Sequence, residues 1–236
     1  MRDGDIDNIL NAAAEGSQVD AALVERLAQT LGASARPVRP LPRRRTMWTG
    51  LFVVCAAVGL LAAALLGIHG LPKMSTGQAA SIFSTLCGLI SLAAVGCIEQ
   101  MTPGGRRHFP AGWSIAGGSF LLAGLFAAAF DDREVVNFVH AGLVCLKAGI
   151  AVAIPAALGG WLVVRRGYFV RPVAAGAAVG TLAGLAGITM LELHCPNFEV
   201  LHVMVWHTAV LPASALLGAL VARIRVSASK ASRRSS

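Results

Sequence analysis

The sequence has few charged residues for its length. Asp, Glu, Lys and Arg make up 14% of its 236 residues, whereas 56% are hydrophobic, and the mean hydropathy is +0.67. A water-soluble domain needs more polar side chains than this to cover its surface, which excludes a soluble globular protein. Windows of about twenty apolar residues instead match the length that a helix needs to cross a bilayer.

The sequence also lacks the motifs that carry most enzyme chemistry. No nucleophile stands in a recognisable pattern with a base, and there is neither a phosphate-binding loop nor a dinucleotide fingerprint. We therefore expect no enzyme activity and no cofactor. The polar segment 1–45 lacks the apolar core of a cleavable signal, so we expect it to remain on the mature protein.

Six apolar windows follow this segment. Lys and Arg cluster before the first window and after the second, fourth and sixth, whereas the other loops carry mainly Asp and Glu. Because cytoplasmic loops keep the positive charge, the pattern predicts an all-α polytopic membrane protein with six transmembrane helices and both termini cytoplasmic. The windows are Thr49–Ile68, Gln78–Ile98, Ala111–Phe130, His140–Val164, Pro172–Leu191 and Val200–Ala222.

The windows divide the chain into three parts. Residues 1–45 form a cytoplasmic tail, 46–225 the transmembrane bundle, and 226–236 a basic tail that we expect to be disordered. The positive-inside pattern accounts for most of the formal charge of +8, so we expect contact with membrane lipids and no direct binding of nucleic acid. Nothing in the sequence predicts the oligomeric state.

The N-terminal tail reads as two short amphipathic helices followed by a Pro/Arg linker. Apolar residues recur at helical spacing, and Gly32 is a plausible stop for the second helix. Helices this short cannot bury a core alone, so they lie on the membrane, pack on the bundle or bind a partner. Their apolar stripes are Ile6, Ile9 and Leu10 in the first helix and Leu23, Val24, Leu27 and Leu31 in the second.

Glycine recurs at every fourth position in the fifth window. Gly176, Gly180 and Gly184 lie on one face of a helix. Such a spine lets another helix approach closely where lipid gives no hydrophobic drive for association.

One short stretch, "LELHCPNFEVLHVMVWHT" at residues 191–208, holds three histidines, two glutamates and a cysteine. Its Cys195 and the Cys145 of the fourth window are both predicted near the outer face. They are close enough for a disulfide or a shared soft-metal ligand if their helices are neighbours. We assign the other cysteines, Cys55, Cys87 and Cys97, to packing.

The histidines of this stretch leave two interpretations open. With the cysteines they resemble a zinc or copper site, for which the candidate ligands are Cys145, Cys195 and His194, but no recurrent metal-site spacing is present. Alternatively they are interfacial hydrogen-bonding residues. His202 and His207 are five residues apart, which places them on different sides of an α-helix. The supporting polar residues are His140, Lys147, Glu192, His194, His202 and His207.

Lys147 is the charged residue that lies well inside a predicted span. An intramembrane charge is costly and is a functional hypothesis by default. We expect its ammonium group to reach the interface and to pair with Glu192 at the outer end of the fifth window.

Several segments taken in order resemble a known family. They are "RPVRPL" before the first window, "CLKAGIAVAIP" in the fourth, "RPVAAG" at the start of the fifth, and "LHCP" followed by "VWHT" before the sixth. In these segments the chain resembles the NrsF-like integral-membrane anti-sigma factors. The resemblance implies a six-helix protein of the bacterial inner membrane that holds an extracytoplasmic-function sigma factor inactive until stress releases it.

The resemblance also implies which residues sense the stress. By motif match, Cys145 and Cys195 are the family cysteines that face the periplasm and respond to a thiol-reactive metal or an oxidant. The tail stripes would mask the sigma factor. A different class, a small transporter or metal-handling membrane protein, remains the alternative, as does a membrane anchor that is indifferent to the cysteines.

Overall fold

The structure is a computed structural model of the chain, which divides into two units, 1–40 and 41–236. It describes residues 25–26, 28–30, 41–101, 111–132, 137–165, 167, 169 and 171–234. In the first unit the described residues are helical, and the Gln29 amide donates to the Glu25 carboxylate at 3.0 Å. The predicted stripes fall outside the described residues; they are Ile6, Ile9, Leu10, Leu23, Val24, Leu27 and Leu31.

The described part of the second unit is helical and contains no strand. Its first five helices are α1 (Arg44–Leu66), α2 (Thr76–Glu99), α3 (Ala111–Ala129), α4 (Phe138–Val164) and α5 (Pro172–His194), with a short 3₁₀ turn at Leu71–Lys73 between α1 and α2. The next helix, α6, starts with the turn Val200–His202, passes through a π-helical segment at Val203–His207 and continues over Thr208–Arg234.

Each predicted apolar window coincides with one of these helices, which confirms the all-α prediction. Five of them, all but α3, are long and apolar enough to cross a membrane, and the apolar part of α3, Ser114–Ala129, is shorter. The C-terminal end differs from the prediction. The segment expected to be a disordered tail continues α6 as far as Arg234, because its Ala, Ser, Arg and Lys residues contain no glycine or proline that would stop a helix.

Helix α5 is the central helix of the bundle. It contacts all the other five helices, and 78% of its apolar window is buried, against 22–33% for the other candidate spans. Its sequence is mostly Ala, Gly and Leu, so its surface is narrow enough for several neighbours to pack around it.

The predicted glycine spine is where α5 and α6 meet. A Cβ atom at Gly176 would meet the backbone carbonyl of Gly218, and one at Gly180 would meet that of Ser214. On another face of α5, Gly187 lies equally close to the backbone of Gly149 in α4. The three helices therefore touch backbone to backbone, a contact that any larger side chain would push apart.

Large apolar side chains on the outer helices point away from the bundle. Leu65 in α1, Phe120 in α3 and Leu216 in α6 are each at least 71% exposed. In water such a surface would be an aggregation site, whereas in a bilayer it faces lipid.

Candidate functional site

The polar residues gather at the end of the bundle where α5 ends and α6 begins. The short connection between the two helices is held by both neighbouring loops. The Gly70 amide donates to the Leu193 carbonyl at 2.9 Å, and the Val200 amide donates to the Asp132 carbonyl at 2.8 Å. The rings of Phe130 and Phe198 stack with their centroids 4.8 Å apart. These contacts fix the connection above the helix ends.

Beneath this connection lies a group that we call the Cys/His cluster: Cys145, Cys195, His202 and His207. One ligand atom from each residue lies within 4.8 Å of the others. The two Sγ atoms are 3.6 Å apart, and the Cys195 Sγ is 3.7 Å from Nε2 of His202. Both histidines are fully buried and Cys195 is 4% exposed, while Cys145 is half-buried. Both thiols are free.

The members of the cluster come from three parts of the chain. Cys145 lies two turns into α4, Cys195 follows the last residue of α5, and the two histidines belong to α6. The close contact between α4 and α5 at Gly149 and Gly187 is what brings Cys145 towards Cys195. The cluster therefore joins three helices.

His202 and His207 face each other because of the π-helical segment between them. In an α-helix five residues rotate by about 500°, which leaves the two side chains roughly 140° apart. A π turn, with its i→i+5 hydrogen bonds, holds more residues than an α-helical turn, so residues five apart lie at a much smaller angle to each other. The two rings meet edge to face with their centroids 5.4 Å apart. The sequence prediction that they lie on different sides of the helix is wrong for this reason.

Glu192 pairs with His207. Its Oε1 is 2.6 Å from the His207 Nδ1, and both side chains are fully buried. A carboxylate oxygen accepts, so Nδ1 carries the proton. The predicted partner of Glu192, Lys147, forms no ion pair with it; Lys147 is exposed on the surface of α4, because the buried face of that helix is taken by its contact with α5.

The remaining predicted polar residues lie outside the cluster. The His194 Nδ1 donates to the Gly67 carbonyl at 2.8 Å, and its ring meets the edge of His69. This histidine therefore ties α5 to the loop after α1 and does not belong to the cluster, although it was the predicted third metal ligand. His140, at the start of α4, is exposed.

The neighbours of Cys195 have opposite effects on the pKa of its thiol. Its contact with the Cys145 thiol, and then its burial, raise the pKa of the Cys195 thiol above the ordinary value, whereas the imidazoles of His202 and His207 act to lower it. In a buried thiol without an imidazole nearby, the pKa would only be raised. The histidines thus make a thiolate at this position less costly.

Comparison with known proteins places the chain in a family. The model of the NrsF family, described as negative regulator of sigma F, matches residues 31–226. The chain belongs to the NrsF family. The anti-sigma-F factor NrsF of Caulobacter vibrioides (strain NA1000 / CB15N) is 28% identical over 211 residues, which cover 85% of this chain and 95% of that protein. No solved structure matches the chain.

The NrsF match covers α1 to α5, α6 as far as residue 226, and the Cys/His cluster. The predicted resemblance to this family is thereby confirmed. Residues 1–30, which include most of the predicted tail stripes, precede the matched region.

Proposed function

We propose that this chain is an inner-membrane anti-sigma factor that holds an extracytoplasmic-function sigma factor inactive and releases it under thiol-reactive stress. The observation that carries the proposal is the NrsF family match over most of the chain. The relative from Caulobacter vibrioides, which the chain covers almost end to end, is itself named an anti-sigma-F factor.

The membrane arrangement in this proposal has six spans with both termini in the cytoplasm. The basic residues before α1 and after α6 support it, since cytoplasmic flanks keep positive charge. The Cys/His cluster then lies at the periplasmic end of the bundle, where a metal ion or an oxidant arrives first. The tail helices lie on the cytoplasmic side, where a sigma factor is found.

The tail binds the sigma factor as an amphipathic helix in a groove. The predicted stripe in the second tail helix, which includes Leu23 and Leu27, covers an apolar surface of the partner. The face that carries Gln29 stays in water, in agreement with its exposure in the structure.

The release step begins at Cys145 and Cys195. Modification of the two thiols changes the distance between α4 and the α5–α6 pair, which these residues connect at 3.6 Å. Helices α5 and α6 meet closely at three glycines of the spine, Gly176, Gly180 and Gly184, whereas α4 meets the α5 backbone at Gly187. In this proposal the α5–α6 pair therefore moves as one body relative to α4, and the change reaches the cytoplasmic end. The grip of the tail on the sigma factor then weakens.

A transport function has less support. A path across the bundle needs polar side chains along its length. Among the described residues, the buried glutamate and histidine side chains all lie at the end of the bundle that holds the cluster. Deeper in α5, the hydroxyls of Thr181 and Thr189 donate to carbonyls of their own helix.

Co-purification tests the holding function. The tagged full-length protein is solubilised from unstressed cells, and the bound proteins are identified by mass spectrometry. We expect a sigma factor with the wild type and with Gln29→Asp, and its loss with Leu27→Asp, which puts the same charge into the apolar stripe. Absence of any sigma factor from the wild type would refute the proposal.

A further inference from the structure

We propose that Cys145, Cys195, His202 and His207 together form a four-ligand site for a single d¹⁰ metal cation such as Zn²⁺ or Cd²⁺. This deepens the proposed function, on which its role in release rests, since it names the ligand that the Cys/His cluster takes. The binding itself is a property of the purified protein and is measured without a sigma factor.

Two of the distances within the cluster match those of a tetrahedral site. With metal–sulfur bonds of about 2.3 Å and metal–nitrogen bonds of about 2.0–2.1 Å, two sulfurs lie about 3.8 Å apart, and a sulfur and a nitrogen about 3.6 Å. The Cys145 and Cys195 sulfurs are 3.6 Å apart, and the Cys195 sulfur is 3.7 Å from the His202 nitrogen. The widest pair in the group is within 4.8 Å, so closing around an ion requires movements of about 1 Å.

Two buried nitrogens in the cluster have no hydrogen-bond partner among the described residues. They are Nε2 of His207 and Nδ1 of His202. Burying a polar atom without a partner costs free energy, and natural proteins rarely leave one so. A metal bond to Nε2 of His207 would remove one of these two defects.

Glu192 prepares His207 for this role. Because its carboxylate accepts the Nδ1 proton at 2.6 Å, the lone pair of the neutral ring is on Nε2. Metal-binding histidines commonly have such a carboxylate behind them, which fixes the tautomer and raises the basicity of the ligand. Glu192 is thus a positioning residue that does not itself bind the ion.

The charges of the ion and its two thiolate ligands balance. Each thiol gives up its proton to water as its sulfur binds, so a dication displaces two protons and is neutralised by two thiolates. The histidines bind as neutral rings. The end of a transmembrane bundle can bury such a site because it adds no net charge. Two thiolates and two imidazoles are the ligand set that favours Zn²⁺ and its heavier analogue over Mg²⁺ or Ca²⁺.

Cd²⁺ titration of the full-length protein, reduced and purified in detergent, tests the site. We expect about one ion per chain, with an ultraviolet thiolate-to-metal charge-transfer band. Cys145→Ser with Cys195→Ser should abolish both, and His202→Ala should weaken binding by at least about tenfold. The matched control, Cys55→Ser with Cys97→Ser, removes two other buried thiols and should bind as the wild type does.

A second measurement needs no variant. Co²⁺ added to the wild type should give the intense visible bands of a tetrahedral ion together with sulfur charge transfer. An octahedral spectrum, or no binding, would overturn the proposal. So would binding that depends on the two cysteines and is unchanged in both His202→Ala and His207→Gln, because this would reduce the site to a pair of thiols.

The Cd²⁺ titration and the co-purification of a sigma factor can fail independently of each other. If the protein binds Cd²⁺ through the four residues but no sigma factor co-purifies, the site stands and the anti-sigma function fails. If a sigma factor co-purifies and the titration shows no bound ion, the four-ligand site fails and the anti-sigma function stands.

Discussion

Two pairs of cysteines in this bundle differ in their neighbours more than in their burial. Cys55 and Cys97 are 1% and 2% exposed and belong to the apolar core, where the Cys55 thiol donates to the Leu182 carbonyl at 3.2 Å. Cys195 is almost as deeply buried, but its sulfur contacts a second thiol and an imidazole. A buried thiol in the core behaves as a small apolar group. Cys195 thus differs from the core thiols in its thiol and imidazole neighbours and not in its exposure, whereas its partner Cys145 is half-buried.

The largest expected effect separates the two pairs in the cell. Cys145→Ser with Cys195→Ser should leave the sigma factor held, so that a sigma-dependent reporter stays at its uninduced level after Cd²⁺ is added. Cys55→Ser with Cys97→Ser should respond as the wild type does, because these thiols lie in the core away from the cluster. A normal response in the first variant would show that the two pairs do not differ in function.

The next largest effect should come from breaking the buried pair of Glu192 and His207. His207→Leu leaves the Glu192 carboxylate buried without its 2.6 Å partner, and we expect a loss of about 3–5 kcal/mol in the free energy of unfolding in mixed micelles. Replacing both residues by leucine removes the unpaired charge and should recover much of that loss. If the single and the double variant are equally unstable, the pair does not act as a unit.

The contact between α5 and α6 should also be sensitive, for steric reasons. A Cβ atom at Gly180 meets the Ser214 backbone, so Gly180→Ala should cost about 1–3 kcal/mol of unfolding free energy. The matched control is Gly88→Ala in α2, where a Cβ atom has nothing within 4 Å. There the better helix propensity of alanine should make the change neutral or slightly stabilising. Equal thermal stability of the two variants would argue against close packing of α5 on α6.

The smallest effect concerns the histidine that lies outside the cluster. His194→Ala removes the 2.8 Å hydrogen bond to the Gly67 carbonyl, which should cost about 1 kcal/mol and leave Cd²⁺ affinity unchanged. Isothermal titration and thermal unfolding of the same preparation measure both quantities. A large loss of Cd²⁺ affinity would place His194 among the ligands after all.

The helices could be predicted from the sequence because hydropathy and the glycine spacing are local signals. The windows around α1 to α6 and the close approach of another helix at Gly176 and Gly180 needed no knowledge of the rest of the chain, whereas the identity of that helix, α6, did. The proximity of Cys145 and Cys195 could only be stated as an option. It depends on α4 packing against α5 at Gly149, which is a contact between distant parts of the sequence.

The proximity of His202 and His207 could not be predicted from the sequence, because α-helical spacing separates them. At 3.6 residues per turn, a spacing of five separates His202 from His207, and only the π-helical segment reunites them. The predicted partner of Glu192, Lys147, was wrong because the pairing of Glu192 with His207 is a contact between two helices that spacing along the chain does not show. The sequence does contain one signal for this segment, which is the spacing of five residues between the two histidines.

The most direct test of the account measures release in one preparation. Membranes that hold the sigma factor are treated with Cd²⁺, and the sigma factor remaining on the pelleted membranes is quantified for the wild type, Cys145→Ser with Cys195→Ser, and Cys55→Ser with Cys97→Ser. We expect release from the wild type and from Cys55→Ser with Cys97→Ser, and retention by Cys145→Ser with Cys195→Ser. Equal release from all three, or no release from the wild type, would contradict it.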